Sequence, residues 1–163
     1  MYKAISTYRA FVLVWLTHKL ALPLLRYIRK PQKFSYSKEE LYQMQDGTLG
    51  RDLVKMLDEN NLELLPYYVK HDIKHILLEY DTTGEGEVCL QCFMLGNGHL
   101  SFPVAATVGF GLFTMPEYWP LFFKAFKRGR RSAQIENWQW YSLLELPTAS
   151  LIQLIGRREI KQE

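Results

Sequence analysis

Apolar residues in this chain recur every three or four positions, in stretches cut by Gly, Pro and Asn, and Val and Ile nowhere alternate with polar residues for long. A half-buried strand needs a period of two, whereas a helix facing a core needs a period near 3.6. The pattern therefore predicts an all-α fold, a single-domain helical bundle. A chain of 163 residues can bury roughly 70% of its extended surface, so a core forms without staples. Hydrophobic residues at 48% and charged residues at 23% exclude a disordered chain or a coiled-coil rod. Two cysteines exclude a disulfide-stapled scaffold.

Local signals divide the chain. Ser37 with Glu40 three positions on forms a capping box for a short helix. Asp46-Gly47 marks a turn, after which Thr48 is expected to cap a helix to about Asn60 with Leu49, Leu53, Met56 and Leu57 on one face. The next helix is expected from about Leu64 to Tyr80, with Pro66 in its first turn and Val69, Ile73, Ile76, Leu77 and Tyr80 inward. After the turn at 81–86, Glu87 opens a helix to about Leu95. Residues 101–114 read as a buried helix or an irregular apolar passage. Pro116 starts a further helix through about Arg130, ended near Gly129, and 138–155 contains a last one.

Charge is unevenly spread. Residues 1–38 hold eight Lys or Arg and no acid, although the whole chain is only +3. Residues 1–37 are expected to form a basic, apolar helix that faces a membrane, ahead of a helical domain at 38–163; an ordinary amphipathic helix with a basic outer face satisfies the same pattern. The longest run there without a charge or His is Ala10–Thr17, too short to span a bilayer. No small-x-small cleavage site follows it.

The sharpest chemical motif is His71-Asp72-Ile73-Lys74-His75. On a helix, the two imidazoles lie one turn apart on one face and Asp72 reaches the same region. If 64–80 and 87–95 form an antiparallel hairpin, Glu87 returns beside His75 and Gln91 beside His71, a two-His, two-carboxylate layout of the kind that holds metal in bundles. A hydrogen-bonded surface cluster would look the same in sequence. Cys89 and Cys92 form a lone CxxC with neither a second pair nor a βαβ context, so they read as packing thiols. No GxxxxGK or GxSxG occurs, which removes the phosphate loop and the serine nucleophile. Phe110, Phe113, Trp119, Phe122, Phe123 and Phe126 crowd one segment, and Lys127, Arg128, Arg130 and Arg131 follow it. Core packing and a helix end in water account for these residues; a groove for a prenyl lipid beside an anion or headgroup site is the functional alternative. No nucleic-acid-binding module is in view.

The run from His71-Asp72 and His75 through Tyr80-Asp81-Thr82 to Gly86-Glu87 resembles the HDxxH-x11-E signature of the coenzyme Q (ubiquinone) biosynthesis protein four family; eleven residues separate His75 from Glu87. Gly47-Thr48-Leu49-Gly50-Arg51 is similar to the family's GTLGR segment, and Ala125 to Arg130 to its A-x-x-RG stretch. The tail from Trp138 to Arg157 is also similar, so the resemblance covers about residues 38–158. Position 79 is Glu where the family has a small residue, usually Gly.

The resemblance implies an all-helical, membrane-associated protein of ubiquinone biosynthesis. It implies a divalent metal, written as zinc, held by His71, Asp72, His75 and Glu87. It implies oxidative decarboxylation of a polyprenylated hydroxybenzoate, replacing the C1 carboxylate by hydroxyl. Zinc does not change oxidation state, so iron or manganese suits that chemistry better. The alternative is a non-catalytic scaffold with a structural metal, binding a prenyl lipid and organising the other quinone-biosynthesis enzymes. The expected location is peripheral, on the cytoplasmic face of a bacterial membrane or the matrix face of the mitochondrial inner membrane. The partners expected are a prenylated quinone precursor or isoprenoid lipid, the membrane surface and other pathway enzymes, without nucleic acid. An apolar N-terminal helix also allows a homodimer.

Overall fold

The computed structural model describes residues 34–156; the expected N-terminal helix lies outside them up to residue 33, and 34–37 are not helical. The fold is all-α: α1 (Lys38–Tyr42), α2 (Leu49–Glu59), α3 (Val69–Leu78), α4 (Gly84–Gly96), α5 (Phe102–Thr114), α6 (Trp119–Arg131) and α7 (Thr148–Gly156), with short 3-10 turns at Pro116–Tyr118 and Trp140–Leu143. The capping box forms as expected: Ser37 accepts from the Glu40 amide, and Glu40 accepts from the Ser37 amide. Leu49, Leu53 and Leu57 of α2 and Val69, Ile73 and Leu77 of α3 are buried, as the 3.6-residue period requires.

Thr48 stands at the N-cap of α2, but its hydroxyl donates to the Gln45 carbonyl instead of accepting from the helix. The first two amides of α2 are satisfied by carbonyls almost a hundred residues later in the chain. Leu49 N–H donates to Leu146 O at 3.0 Å and Gly50 N–H to Leu144 O at 2.8 Å. The Thr148 hydroxyl also donates to Asp52 at 2.6 Å. Helix termini must place these donors somewhere; here a remote segment takes the place of a local cap.

α4 is the centre of the bundle and packs most extensively on α6, then on α5. Two glycines set the α4–α6 crossing. A Cβ on Gly96 would stand 2.2 Å from the Phe126 carbonyl oxygen, and one on Gly129 would stand 2.1 Å from that of Phe93. Gly129 therefore does not end the helix. It lies inside α6, where the two backbones touch. Asn97, at the end of α4, is buried and locks the crossing: its amide donates to Gly129 O and Ala133 O and accepts from the Ile135 amide.

Three other expectations are corrected. α3 begins at Val69, because Pro66 sits in a preceding turn closed by Tyr68 N–H to Leu65 O at 2.7 Å. α4 begins at Gly84, because the Thr83 hydroxyl accepts from Gly86 N–H and caps it. The 102–114 helix is not buried all round. Val104, Val108 and Gly111 face the core, while Phe102 and Phe113 are 78% and 89% exposed.

Candidate metal centre

Glu87 stands in the first turn of α4 and His75 in the last turn of α3. The dipole at a helix start favours a carboxylate there, and that at a helix end favours a cation. The turn at 79–83 folds α4 back so that these two ends meet. Gly86 makes the approach close enough: a Cβ there would lie 2.1 Å from the Asp81 carbonyl oxygen.

The result is a compact cluster of three. His71 Nε2 lies 3.0 Å from Glu87 Oε2, His75 Nε2 lies 3.2 Å from the same oxygen, and the two Nε2 atoms are 3.1 Å apart. The rings stand edge to face. Gln91, one turn beyond Glu87, donates to Glu87 Oε1 at 2.7 Å and orients the carboxylate. His75 Nδ1 lies 2.9 Å from the Tyr80 carbonyl oxygen. A carbonyl only accepts, so Nδ1 carries the proton, and in the neutral ring Nε2 presents its lone pair to the cluster.

That assignment tests the fit to a cation. A bare imidazole nitrogen faces a carboxylate oxygen, and His71 supplies a single Nε2 proton to two acceptors. A divalent ion would satisfy all three groups. Ligands at about 2.0–2.1 Å on a tetrahedron stand about 3.3 Å apart, close to the observed separations. His71, His75 and Glu87 thus form a group able to hold a metal ion.

Electrostatics tie the cluster together. Burial alone would raise the Glu87 carboxyl, but His71, through its charge and its hydrogen bond, and His75 when its Nε2 carries a proton reverse this and hold it well below the usual carboxylate range. Burial opposes protonation of His71, yet the Glu87 carboxylate outweighs it, with Asp72 adding, and the His71 pKa is raised. Burial raises the Asp72 carboxyl against the pull of both imidazoles, with Glu87 adding to the rise. Asp72 is the one expected ligand that does not join the group; it follows His71 directly along α3, one position around the helix from the shared His71/His75 face.

The aromatic and basic segment is dispersed. Phe122 is buried in the core, Phe110 and Phe126 are half-buried against it, and Phe113, Trp119 and Phe123 are exposed. The six rings therefore range from fully buried to largely exposed. Lys127, Arg130 and Arg131 are exposed on α6, but Arg128 turns inward and donates to the Leu78 carbonyl at the end of α3. Its internal role, and the crossing at Gly129, are what sequence reasoning missed; the pairing of Arg and Gly in one short stretch was the available signal. Cys89 and Cys92 are buried free thiols, pushed up by burial to about 11 and about 12, as packing residues should be.

Among the described residues, no helix is long and apolar enough to cross a membrane. No protein-family model matches the chain, and no curated protein matches it. Among solved structures, the chain is similar to a crystal structure of a protein from Nostoc punctiforme named "putative ubiquinone biosynthesis protein", at 18% identity and a TM-score of 0.61, over 93% of this chain and 81% of that one. At that identity the likeness shows a shared fold.

Proposed function

We propose that this protein is a metal-dependent enzyme of ubiquinone biosynthesis, acting on a polyprenylated hydroxybenzoate and replacing its C1 carboxylate by hydroxyl. The observation that carries this reading is the donor set. Two imidazoles and one carboxylate converge, and the fourth expected ligand, the Asp72 carboxylate, does not join them. Structural zinc sites are closed by four protein ligands, whereas catalytic sites keep a position open. The two-His, one-carboxylate set with open positions is the pattern of iron centres that handle dioxygen. The similarity to a structure named for ubiquinone biosynthesis and the HDxxH-x11-E signature support the same assignment.

His71, His75 and Glu87 would hold the ion, which would supply Lewis acidity toward the substrate carboxylate or phenol and, as iron or manganese, a route for dioxygen as oxidant. Asp72 lies beside the cluster with its carboxyl raised by burial and would exchange a proton with the substrate's hydroxyl or carboxyl group bound there. Gln91 keeps the Glu87 carboxylate in position, and Tyr80 O keeps His75 in its binding tautomer.

A lipid-surface location is supported by the outer face of α5. Phe102, Ala105, Ala106, Gly109 and Phe113 are all exposed there, and α6 adds exposed Lys124, Lys127, Arg130 and Arg131. An exposed apolar strip on one helix and exposed bases on another suit an anionic bilayer interface. The test of function is anaerobic purification of the full chain, metal analysis, loading with Fe2+, Mn2+ or Zn2+, and product analysis with a polyprenyl hydroxybenzoate under dioxygen. Hydroxylated product from the iron or manganese form, lost in His75→Ala, is the expected result. Tight zinc with no turnover under any loading would transfer the assignment to the scaffold.

A further inference from the structure

We propose that Arg128 is a positioning residue for the cluster, acting through the Tyr80 carbonyl on the tautomer of His75. This rests on the reading of His71, His75 and Glu87 as a metal site.

His75 is a usable ligand only while its Nδ1–H has an acceptor, and that acceptor, Tyr80 O, lies outside the helix on the turn. The orientation of that carbonyl, and of the imidazole with it, follows how the turn is held. This turn is awkward to hold. Glu79, the residue between α3 and Tyr80, has φ 56°, a left-handed conformation that glycine adopts freely and other side chains rarely do. The backbone closes the turn, with Glu79 N–H donating to Ile76 O at 3.3 Å and Tyr80 N–H to His75 O at 3.2 Å, and α6 adds a hold from outside it. Arg128 donates through Nη1 to Leu78 O, and its Nη2 lies 3.5 Å from Glu79 Oε2. Its guanidinium also stacks 5.3 Å from the Tyr80 ring centroid and 5.5 Å from that of Phe93. One planar group thus fixes three successive residues, 78, 79 and 80, and secures them to the α4–α6 core. Its carboxylate partner, Glu79, is the residue that stands in place of the family's small one. A planar fork with several donors and a stackable face can do this; an ammonium cannot do all of it.

Partners that orient a ligating histidine are worth about 10–100-fold in metal affinity. Arg128 acts one residue further out, so the lower end, about tenfold, is expected. The experiment uses the full chain and Zn2+ affinity by chelator competition. It also records long-range 1H–15N spectra that tell Nδ1–H from Nε2–H at His75 in the metal-free protein. Arg128→Ala should bind Zn2+ about tenfold more weakly and lose the uniform Nδ1–H signature; Arg128→Lys should recover only part of both. Arg51 is the control, since it caps another helix end at Tyr42 O in the same manner, remote from the cluster. Arg51→Ala should lose stability with Zn2+ affinity unmoved.

A folded Arg128→Ala that binds within twofold of wild type and keeps the Nδ1–H tautomer overturns the proposal, leaving Arg128 a structural cap. If Arg128→Ala does not fold, Arg128→Lys decides by the same two readouts. If wild type itself binds no metal, the metal reading fails, and the His75 tautomer in the metal-free variants still decides the role of Arg128.

Discussion

Replacing Gly129 by Ala sets two effects against each other. Taken alone, α6 would gain up to about 1 kcal/mol, because Ala is the better helix former. The bundle does not allow that gain. The new Cβ would stand 2.1 Å from Phe93 O and 3.0 Å from the Asn97 amide nitrogen, more than 1 Å inside ordinary contact with the first. Both neighbours are backbone, so no side chain can swing aside, and α4 and α6 must move apart. Overpacking of this kind costs about 1–3 kcal/mol. Separation also stretches the Asn97 bonds to Gly129 O and Ala133 O, now 3.1 and 2.8 Å, each worth about 1 kcal/mol. The net expectation is a loss of about 2–4 kcal/mol, which lowers the melting temperature by roughly 4–16 °C in a chain of this size. Urea unfolding followed by circular dichroism measures it. Gly109→Ala is the internal standard, since nothing lies within 4 Å of a Cβ there, and it should be neutral or stabilising by up to about 1 kcal/mol. A Gly129→Ala protein as stable as wild type would refute the close-crossing argument.

Further outcomes follow from the same structure. Saturating Zn2+ at about 100 times its Kd should stabilise the fold by about 2.7 kcal/mol; chelator should reverse this, Glu87→Gln should abolish it, and Asp72→Asn should keep most of it, all by thermal melting. Cys89 and Cys92 should resist alkylation at pH 8 until the chain is unfolded, because their folded pKa values of about 11 and about 12 leave little thiolate. With folded values raised above the unfolded thiol, their contribution to stability is complete below about pH 9 and is lost as pH rises toward 11–12, which urea titrations across that range will show. Phe102→Ser with Phe113→Ser should weaken sedimentation with anionic vesicles at least tenfold while leaving the melting temperature within 1–2 °C, as expected for surface residues; unchanged sedimentation would remove α5 from the lipid-surface reading.

What the sequence disclosed was local. Ser37 and Glu40 are a cap within one turn, and the approach of Glu87 to His75 follows from a helix, a turn and a helix. Gln91 was expected beside His71 and lies on the same carboxylate as His71 and His75. The start of α4 was legible in hindsight from Thr83, whose hydroxyl three residues before Gly86 is an ordinary cap. The misses are tertiary. Gly129 reads as a stop in one dimension and as a contact in three, and Arg128 reads as one more surface cation until α3 is packed beneath it. Phe113 and Phe122 are the same residue type nine positions apart, and only the arrangement of α4, α5 and α6 decides which is buried. Asp72 has the right chemistry one position off the shared face.

The stitching of Leu144, Leu146 and Thr148 onto the start of α2 bears on how the protein is made. Those partners leave the ribosome about a hundred residues after the helix they complete, as the 96-position span from Asp52 to Thr148 records. Until then, the amides of Leu49 and Gly50 have only water. The start of α2 therefore cannot be completed until residues 144–148 have been made, and a chain that stopped before Leu144 would leave the Leu49 and Gly50 amides without these partners.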